Sequence, residues 1–552
     1  MTMSTTSRRS FVTATTGSVL ALAGAPWIIL RRAPYDLVIR NGTVFDGTGA
    51  AGIESDVAIS SGKIAAIARR ITERGTDEID AKGLAVAPGF IDIHSHGDGS
   101  LSQDPRAESL IRQGITTIVV GQDGSSQAPS RPRAGAATDA DAGERSFSAL
   151  FASIDKLHPA VNVASMVGLG SLRSIVVGAD DRPATPAELA RMTAMVEEAI
   201  GQGACGASSG LEYTPGAFAP LDELIALCRP LAARRLPYAT HMRNEDDRLL
   251  EAIDESIAVA HGAKCPLQIS HLKTQGPRNW NKLDEVFARV ARERNNGLDV
   301  AFDRYPYLAY STGLTNLFPV ASRDGGTDAF LARLADASVA PGIRTKVLDK
   351  IALLGGWDNV MITNVRAPED KAAEGKRLGA YATSVSKEPY ALTVEMLTRN
   401  RGSIGMVGFA MSEDNLDRIL AHPQGMVCSD GGAFAIDGPT RRGSPHPRGL
   451  GTFPRVLSRY VRERKALTLA QAINKMSALP ASRIHLSDRG RLATGLAADV
   501  VVFDPERVQD QATYENPFQY PVGIHAVAVN GTIALREGQR STQGTGRSLR
   551  PS

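Results

Sequence analysis

The sequence predicts an α/β fold: a (β/α)8 barrel of the TIM type, with a small β-sandwich domain formed by both chain ends. Three observations lead there. Eight short apolar runs alternate with helix-length stretches through the middle of the chain, the rhythm of a βα repeat. Strand–turn–strand texture stands at both ends. Several of the runs end in His or Asp, and a parallel barrel gathers its chemistry at the strand ends.

Length and composition set the frame. At 552 residues the chain exceeds the size of one core, so a large domain with a smaller one is expected. It is 43% hydrophobic and 22% charged, which excludes a disordered or fibrous chain. Lys+Arg is 62 against 59 Asp+Glu, a formal net charge of +3. With no long basic run, nucleic acid is not an expected partner. Cys205, Cys228, Cys265 and Cys428 are too scattered for a disulfide framework or a CxxC zinc site.

In chain order, residues 1–33 read as an export signal. Arg8-Arg9-Ser10-Phe11-Val12 precedes an Ala/Gly/Thr-rich apolar stretch reaching about Leu30. This resembles a twin-arginine signal and implies a periplasmic or extracellular protein. Thr, Ser and Gly interrupt the run, which weakens it as a membrane span. No stable membrane partner is expected once the signal is removed.

Residues 34–86 and 487–541 are assigned to the β domain. Asp36–Arg40, the pair Asn41-Gly42 and Thr43–Asp46 read as a hairpin on a type I′ turn. Val57–Ser60 and Ile64–Ile67 repeat the design, and Ala498–Phe503 and Ala526–Ile533 return to it.

Residues 87–486 are assigned to the barrel. Its runs are Leu84–Ile93, Thr116–Val120, Val161–Val167, Ala204–Ser208, Pro237–Thr240, Pro266–Ile269, Leu298–Phe302 and Gly425–Cys428. A doubly wound open sheet is the competing architecture; the count of eight and the polar run ends favour the barrel. Residues 312–420, about the span between the last two runs, exceed what a βα unit needs and are expected to form an insertion over the site. The tail after Gly538 is expected to be flexible or to wrap the surface.

The strongest local signal is Pro88-Gly89-Phe90-Ile91-Asp92-Ile93-His94-Ser95-His96. Strand alternation points His94 and His96 the same way, a half-site for a divalent metal. Alone, the motif also fits two solvent-facing loop histidines. His241 and His271 close the fifth and sixth runs, and Asp430 follows the eighth. All strand carboxyl ends of a barrel share one rim, so these side chains converge. Nitrogen and carboxylate ligands suit zinc, with other divalent metals as alternatives.

The Pro-Gly-Phe-Ile-Asp-x-His-x-His segment resembles the amidohydrolase superfamily. Gly206–Gly216, Thr240-His241-Met242-Arg243-Asn244-Glu245, Ser270–Lys273, Asp303–Tyr307, Ser429-Asp430-Gly431, Pro445–Arg448 and Gly451–Arg455 resemble its N-acyl-D-amino-acid deacylases. The likeness runs from about Tyr35 to Gly546.

It implies that His94 and His96 hold one metal with Asp430 beside them, and that His241 and His271 hold a neighbouring one. One or two zinc ions are therefore expected. It implies Asp430 as general base, and Lys273 and Tyr305 as binders of the substrate carboxylate, with Arg323 a further candidate. The implied activity is removal of the acyl group from N-acyl-D-amino acids, small-molecule substrates, by a metal-activated water. Hydrolysis of a dihydropyrimidine, another cyclic amide or a dipeptide is the alternative reaction, and a non-catalytic exported binding protein the alternative class.

One departure stands out. Relatives of this type carry Gly-Asn-Cys-Gly after the second strand, the Cys being a metal ligand. Here the stretch is Gly121-Gln122-Asp123-Gly124. Asp123 is expected to take the thiolate's place, since a carboxylate binds zinc and can bridge two metals. The alternative is a turn Asp capping the next helix.

Overall fold

The computed structural model describes residues 34–130 and 145–552. The expected export signal lies outside the described residues. No described helix is long and apolar enough to cross a membrane.

Strands from the two chain ends build one sheet. In order they are Gln539–Arg540, Thr532–Arg536, Ile524–Val529, Val500–Phe503, Ala85–Pro88, Tyr35–Val44, Ile53–Ser60 and Lys63–Ala68, with Gly75–Asp80 also on Tyr35–Val44. The ends meet where Val500–Phe503 runs antiparallel to Ala85–Pro88. A single hydrogen-bonded path thus joins the strands of both chain ends into the one small β domain expected. Its halves share one core, with Leu37, Ile39, Val57 and Ile59 against Val500, Val502, Ala526 and Ala528.

Asn41-Gly42 does not turn the chain. Tyr35–Val44 continues through it, with a register shift against Ile53–Ser60 and Asn41 at φ 60. A bulge and a tight hairpin both call for a left-handed Asn, so the dipeptide alone fits either. The hairpins come instead at Ser61-Gly62 and Asn530-Gly531, where both turn residues have positive φ, as a type I′ turn requires.

The barrel strands are Phe90–Asp92, Ile115–Val120, Asn162–Ser165 with Val167–Gly168, Ala207–Gly210, Tyr238–His241, Leu267–Ile269, Val300–Arg304 and Gly425–Val427. Neighbours along the ladder are parallel. The ring closes through Asp430 N donating to His94 O and His96 N donating to Gly431 O, both 2.9 Å. The closure itself therefore ties Asp430 to the His94–His96 segment.

The first expected run is split at Gly89. Its front half belongs to the small sheet and only Phe90–Asp92 to the barrel. A Cβ on Gly89 would lie 2.2 Å from Thr116, so only glycine lets the chain step between the two sheets. Ile91, Ile93, Val119, Ala164, Met166, Cys205, Ala239, Met426 and Cys428 pack in one interior cluster.

The long connection carries an antiparallel sheet of Ala309–Gly313, Gly405–Phe409 and Val360–Asn364. Helix Glu413–Ala421 then leads into the last barrel strand. The inserted sheet thus spans 309–409, starting earlier than the expected 312–420 and ending earlier. The tail is pinned rather than loose. Val163 N donates to Arg547 O (2.9 Å) and Leu549 N to Val163 O (2.8 Å), and Leu549 joins the interior cluster.

Candidate metal centre

The six residues expected to bind metal sit where strands give way to loops, and the turn geometry aims them. Asp123, His271 and Asp430 have φ of 51°, 35° and 48°, a conformation that costs a non-glycine residue roughly 1–3 kcal/mol. Surrounding bonds enforce it. His271 N donates to Asp303 Oδ1 (2.8 Å), and Asp430 N donates to His94 O. Gly210 lets the backbone of Asp123 approach, since a Cβ there would meet Asp123 O at 2.2 Å.

Asp123 stands at the middle. Its Oδ1 lies 3.4 Å from His94 Nε2 and 3.4 Å from His271 Nε2. Its Oδ2 lies 3.4 Å from His96 Nε2 and 3.8 Å from His241 Nδ1. Asp430 Oδ1 is 3.1 Å from His96 Nε2 and 3.7 Å from His94 Nε2. His241 Nδ1 and His271 Nε2 are 3.0 Å apart. One carboxylate therefore sits between two histidine pairs, with a second carboxylate nearest the first pair.

The donor set fits a divalent cation. Among the described residues, His94 Nδ1, His94 Nε2 and Asp123 Oδ1 are buried without a hydrogen-bond partner, which costs about 1–3 kcal/mol per group unless something else engages them. Ligand atoms of His94, Asp123, His271 and Asp430 all lie within 4.8 Å of one another. Electrostatics agree. Burial opposes charge on His96, yet Asp123 and Asp430 lift its pKa to about 9. Burial likewise opposes charge on His241, yet Glu245, Asp123 and Glu212 lift it to about 10. Burial would raise Asp123, but His94 and His271 hold it well below the usual carboxylate range. The protons held there are those a cation would displace.

Three further carboxylates, which the strand-end pattern did not single out, face the far nitrogens of the histidines. Glu212 Oε2 is 3.4 Å from His241 Nε2. Glu245 Oε1 is 3.1 Å from His271 Nδ1. Asp303 Oδ1 is 3.6 Å from His94 Nδ1. A carboxylate behind a ligating imidazole fixes its ring and tautomer. Each is itself held: Glu212 by Asn316, Glu245 by Lys273 and Gln275, Asp303 by Gln268. The signal was available for Asp303, which closes the seventh barrel run as His241 closes the fifth.

Lys273 and Tyr305 line the same cavity, of about 340 Å³, as the metal-facing groups. Lys273 Nζ lies 2.6 Å from both Glu245 Oε1 and His271 Nδ1. The Tyr305 hydroxyl is buried without a partner, its ring flanked by the guanidiniums of Arg304 and Arg448 at 4.1 and 4.7 Å. Arg448, not singled out from sequence, also lines the cavity and places Nη1 2.7 Å from Asp430 Oδ2. Arg323 is not brought in. Its guanidinium donates to Glu212 O (3.0 Å) and it lines neighbouring cavities instead. His446 is a spacer: Nε2 donates to Ala309 O and Nδ1 accepts from Arg448 N, and burial beside Arg448 keeps its pKa well below the usual range.

Residues 77–397 and 432–534 match the model of the amidohydrolase family. The chain is 35% identical to a D-aminoacylase of Alcaligenes xylosoxydans xylosoxydans, over 94% of this chain and 98% of the relative. The chain belongs to the amidohydrolase family. Within it, this amidohydrolase groups with the N-acyl-D-amino-acid deacylases. The structure of N-acyl-D-glutamate deacylase from Bordetella bronchiseptica, complexed with zinc and a phosphonate mimic of the tetrahedral intermediate, superposes with a TM-score of 0.79. It is 36% identical and covers 94% of this chain and 99% of its own. A D-aminoacylase structure described by its binuclear metal centre gives 0.77 at 33% identity, covering 94% and 100%.

Proposed function

We propose that this amidohydrolase removes the acyl group from N-acyl-D-amino acids, with zinc, one or two ions, as its metal. The observation that carries the reading is Asp123 between two histidine pairs, with Asp430, Lys273, Tyr305 and Arg448 on the same cavity. His94, His96 and Asp430 would hold one ion, His241 and His271 the other, with Asp123 reaching both. When bound, such an ion supplies an activated water and a Lewis acid for the amide carbonyl.

The chain's own groups do the rest. Asp430 offers Oδ1 to the histidines and Oδ2 to Arg448. It is placed to accept the water's proton and pass it to the departing nitrogen. Arg448 fixes its orientation. Tyr305, Lys273 and Arg448, which line one cavity, would bind the free carboxylate through charge-assisted hydrogen bonds. Glu245 holds Lys273 and His271 in register. The preference for D over L rests on likeness to the relatives.

The test is a screen of paired N-acyl-D- and N-acyl-L-amino acids with zinc-loaded protein. Turnover of the D series alone supports the reading; turnover of neither, or of L alone, refutes it. We also infer export to the periplasm or beyond, supported by Arg8-Arg9 before an apolar stretch. Replacing both arginines with Lys traps precursor inside the cell if the inference holds.

A further inference from the structure

The metal-facing groups border two lobes of space. The first holds Lys273 and Tyr305. A second, of about 270 Å³, opens on the other side of His96, Asp430, Ser311 and Arg448, which line both lobes. Neither Lys273 nor Tyr305 reaches the second lobe. Its wall nearest the metal-facing groups is Gly431, Gly432 and Phe434, and its outer wall is Thr363 and Asn364 at the end of an inserted strand.

We propose that the second lobe is the acyl subsite and that it takes a hydrocarbon acyl chain several carbons longer than acetyl. This rests on the proposed N-acyl-amino-acid substrate. The two substituents of an amide carbonyl, the acyl carbon and the nitrogen, leave the reacting carbon in divergent directions. In an N-acyl amino acid the free carboxylate lies on the nitrogen side only. Of the groups assigned to that carboxylate, Lys273 and Tyr305 line the first lobe only and Arg448 lines both, so the nitrogen side points to the first lobe and the acyl chain points into the second.

Size and lining then name the chain. A water occupies about 30 Å³ of liquid, and an acetyl methyl is of that order, so it leaves most of about 270 Å³ unfilled. The Phe434 ring packs against two glycines: a Cβ on Gly432 would meet it at 3.2 Å and one on Gly449 at 2.6 Å. Ser109 clamps the Phe434 backbone from both sides, donating its amide to Phe434 O and accepting from Phe434 N, each at 2.9 Å. The result is a fixed apolar wall. Of the cations lining the lobe, Arg448 is paired with Asp430, and Arg442 is exposed to solvent and donates to Gln103. A hydrocarbon chain fits against Phe434 and Pro445, with the uncharged Thr363 and Asn364 at its outer end.

The experiment measures kcat/KM of the zinc-loaded enzyme for the N-acetyl, N-butyryl and N-hexanoyl derivatives of one D-amino acid. The expected result is a rise with chain length, approaching about fourfold per methylene where burial is complete. Phe434→Ala and Asn364→Trp are each expected to lower the hexanoyl-to-acetyl ratio severalfold. That ratio is internal to each variant, so a loss of folded protein cancels. A wild-type ratio of one or below overturns the inference. So does a Phe434→Ala enzyme that keeps the ratio and changes its preference among D-amino-acid side chains. Acetyl turnover with a flat series sinks this inference alone; no turnover of any of the three sinks the proposed function as well.

Discussion

Replacing Asp123 with Ala removes the one carboxylate, among the described residues, paired within 4 Å with both histidine pairs. Its two oxygens lie 3.4–3.8 Å from four imidazole nitrogens, so no neighbour can substitute for it. Losing a carboxylate that merely supports a ligand weakens metal binding by about 10–100-fold. A group facing the ion directly costs at least the upper figure, about 2.7 kcal/mol at roughly 1.4 kcal/mol per tenfold. That figure sets the assay. At a zinc concentration about 100 times Kd, bound metal stabilises the fold by about 2.7 kcal/mol. A hundredfold loss in affinity reduces that to a fraction of a kcal/mol. Thermal denaturation with and without zinc, beside elemental analysis after dialysis, reads both. The expected outcome is a zinc-dependent shift in Tm for the native chain, almost none for Asp123→Ala, and recovery in Asp123→Cys, because thiolate and carboxylate both bind zinc at about 2.0–2.3 Å. The carboxylate form is expected to accept manganese or cobalt more readily than the thiolate form. If Asp123→Ala keeps full metal and full turnover, Asp123 is a turn residue and the centre runs on His94, His96, His241, His271 and Asp430.

Asp430→Asn keeps the side chain's shape and is expected to retain metal while losing about 10²–10⁴-fold in kcat; near-normal turnover would refute its role as base. Glu245→Gln leaves the Lys273 charge buried and the far side of His271 without its carboxylate, so metal affinity measured by chelator competition should fall about 10–100-fold; unchanged affinity would show that Glu245 serves Lys273 alone. Lys475 is buried with two carbonyl acceptors and, among the described residues, no carboxylate partner, and burial lowers its pKa to about 8. Between about 8 and the unfolded value near 10.5 the unfolded chain holds the extra proton, so stability rises with pH across that window. Denaturant titrations at pH 8 and 10 should show this rise in the native chain and a smaller one in Lys475→Met.

The sequence exposed the parts of the centre that follow from strand periodicity. His94 and His96 share a face because they are two apart, and His241, His271 and Asp430 end their runs. Asp123 was legible from its place after the second run. Glu212, Glu245 and Arg448 were not, because their significance lies in which nitrogen or oxygen they face. That depends on imidazole orientation and on loop paths with no period. Arg323 shows the converse: a cation in a plausible place, turned aside by the carbonyl of Glu212. In the fold, Asn41-Gly42 misled because left-handed φ serves bulge and turn alike, and only the partner strand decides between them.

The joining of the two chain ends in one sheet, with the tail against Val163, bears on how the molecule comes into being. Ala85–Pro88 is flanked in the finished fold by Val500–Phe503, which a ribosome delivers only after the entire barrel. At about 5–20 residues per second, that edge waits tens of seconds for its partner. The third barrel strand waits longer still, until Arg547 and Leu549 emerge. Both partnerships thus form only after the barrel has been made, and a chain lacking Arg547 and Leu549 leaves Val163 without those two backbone bonds.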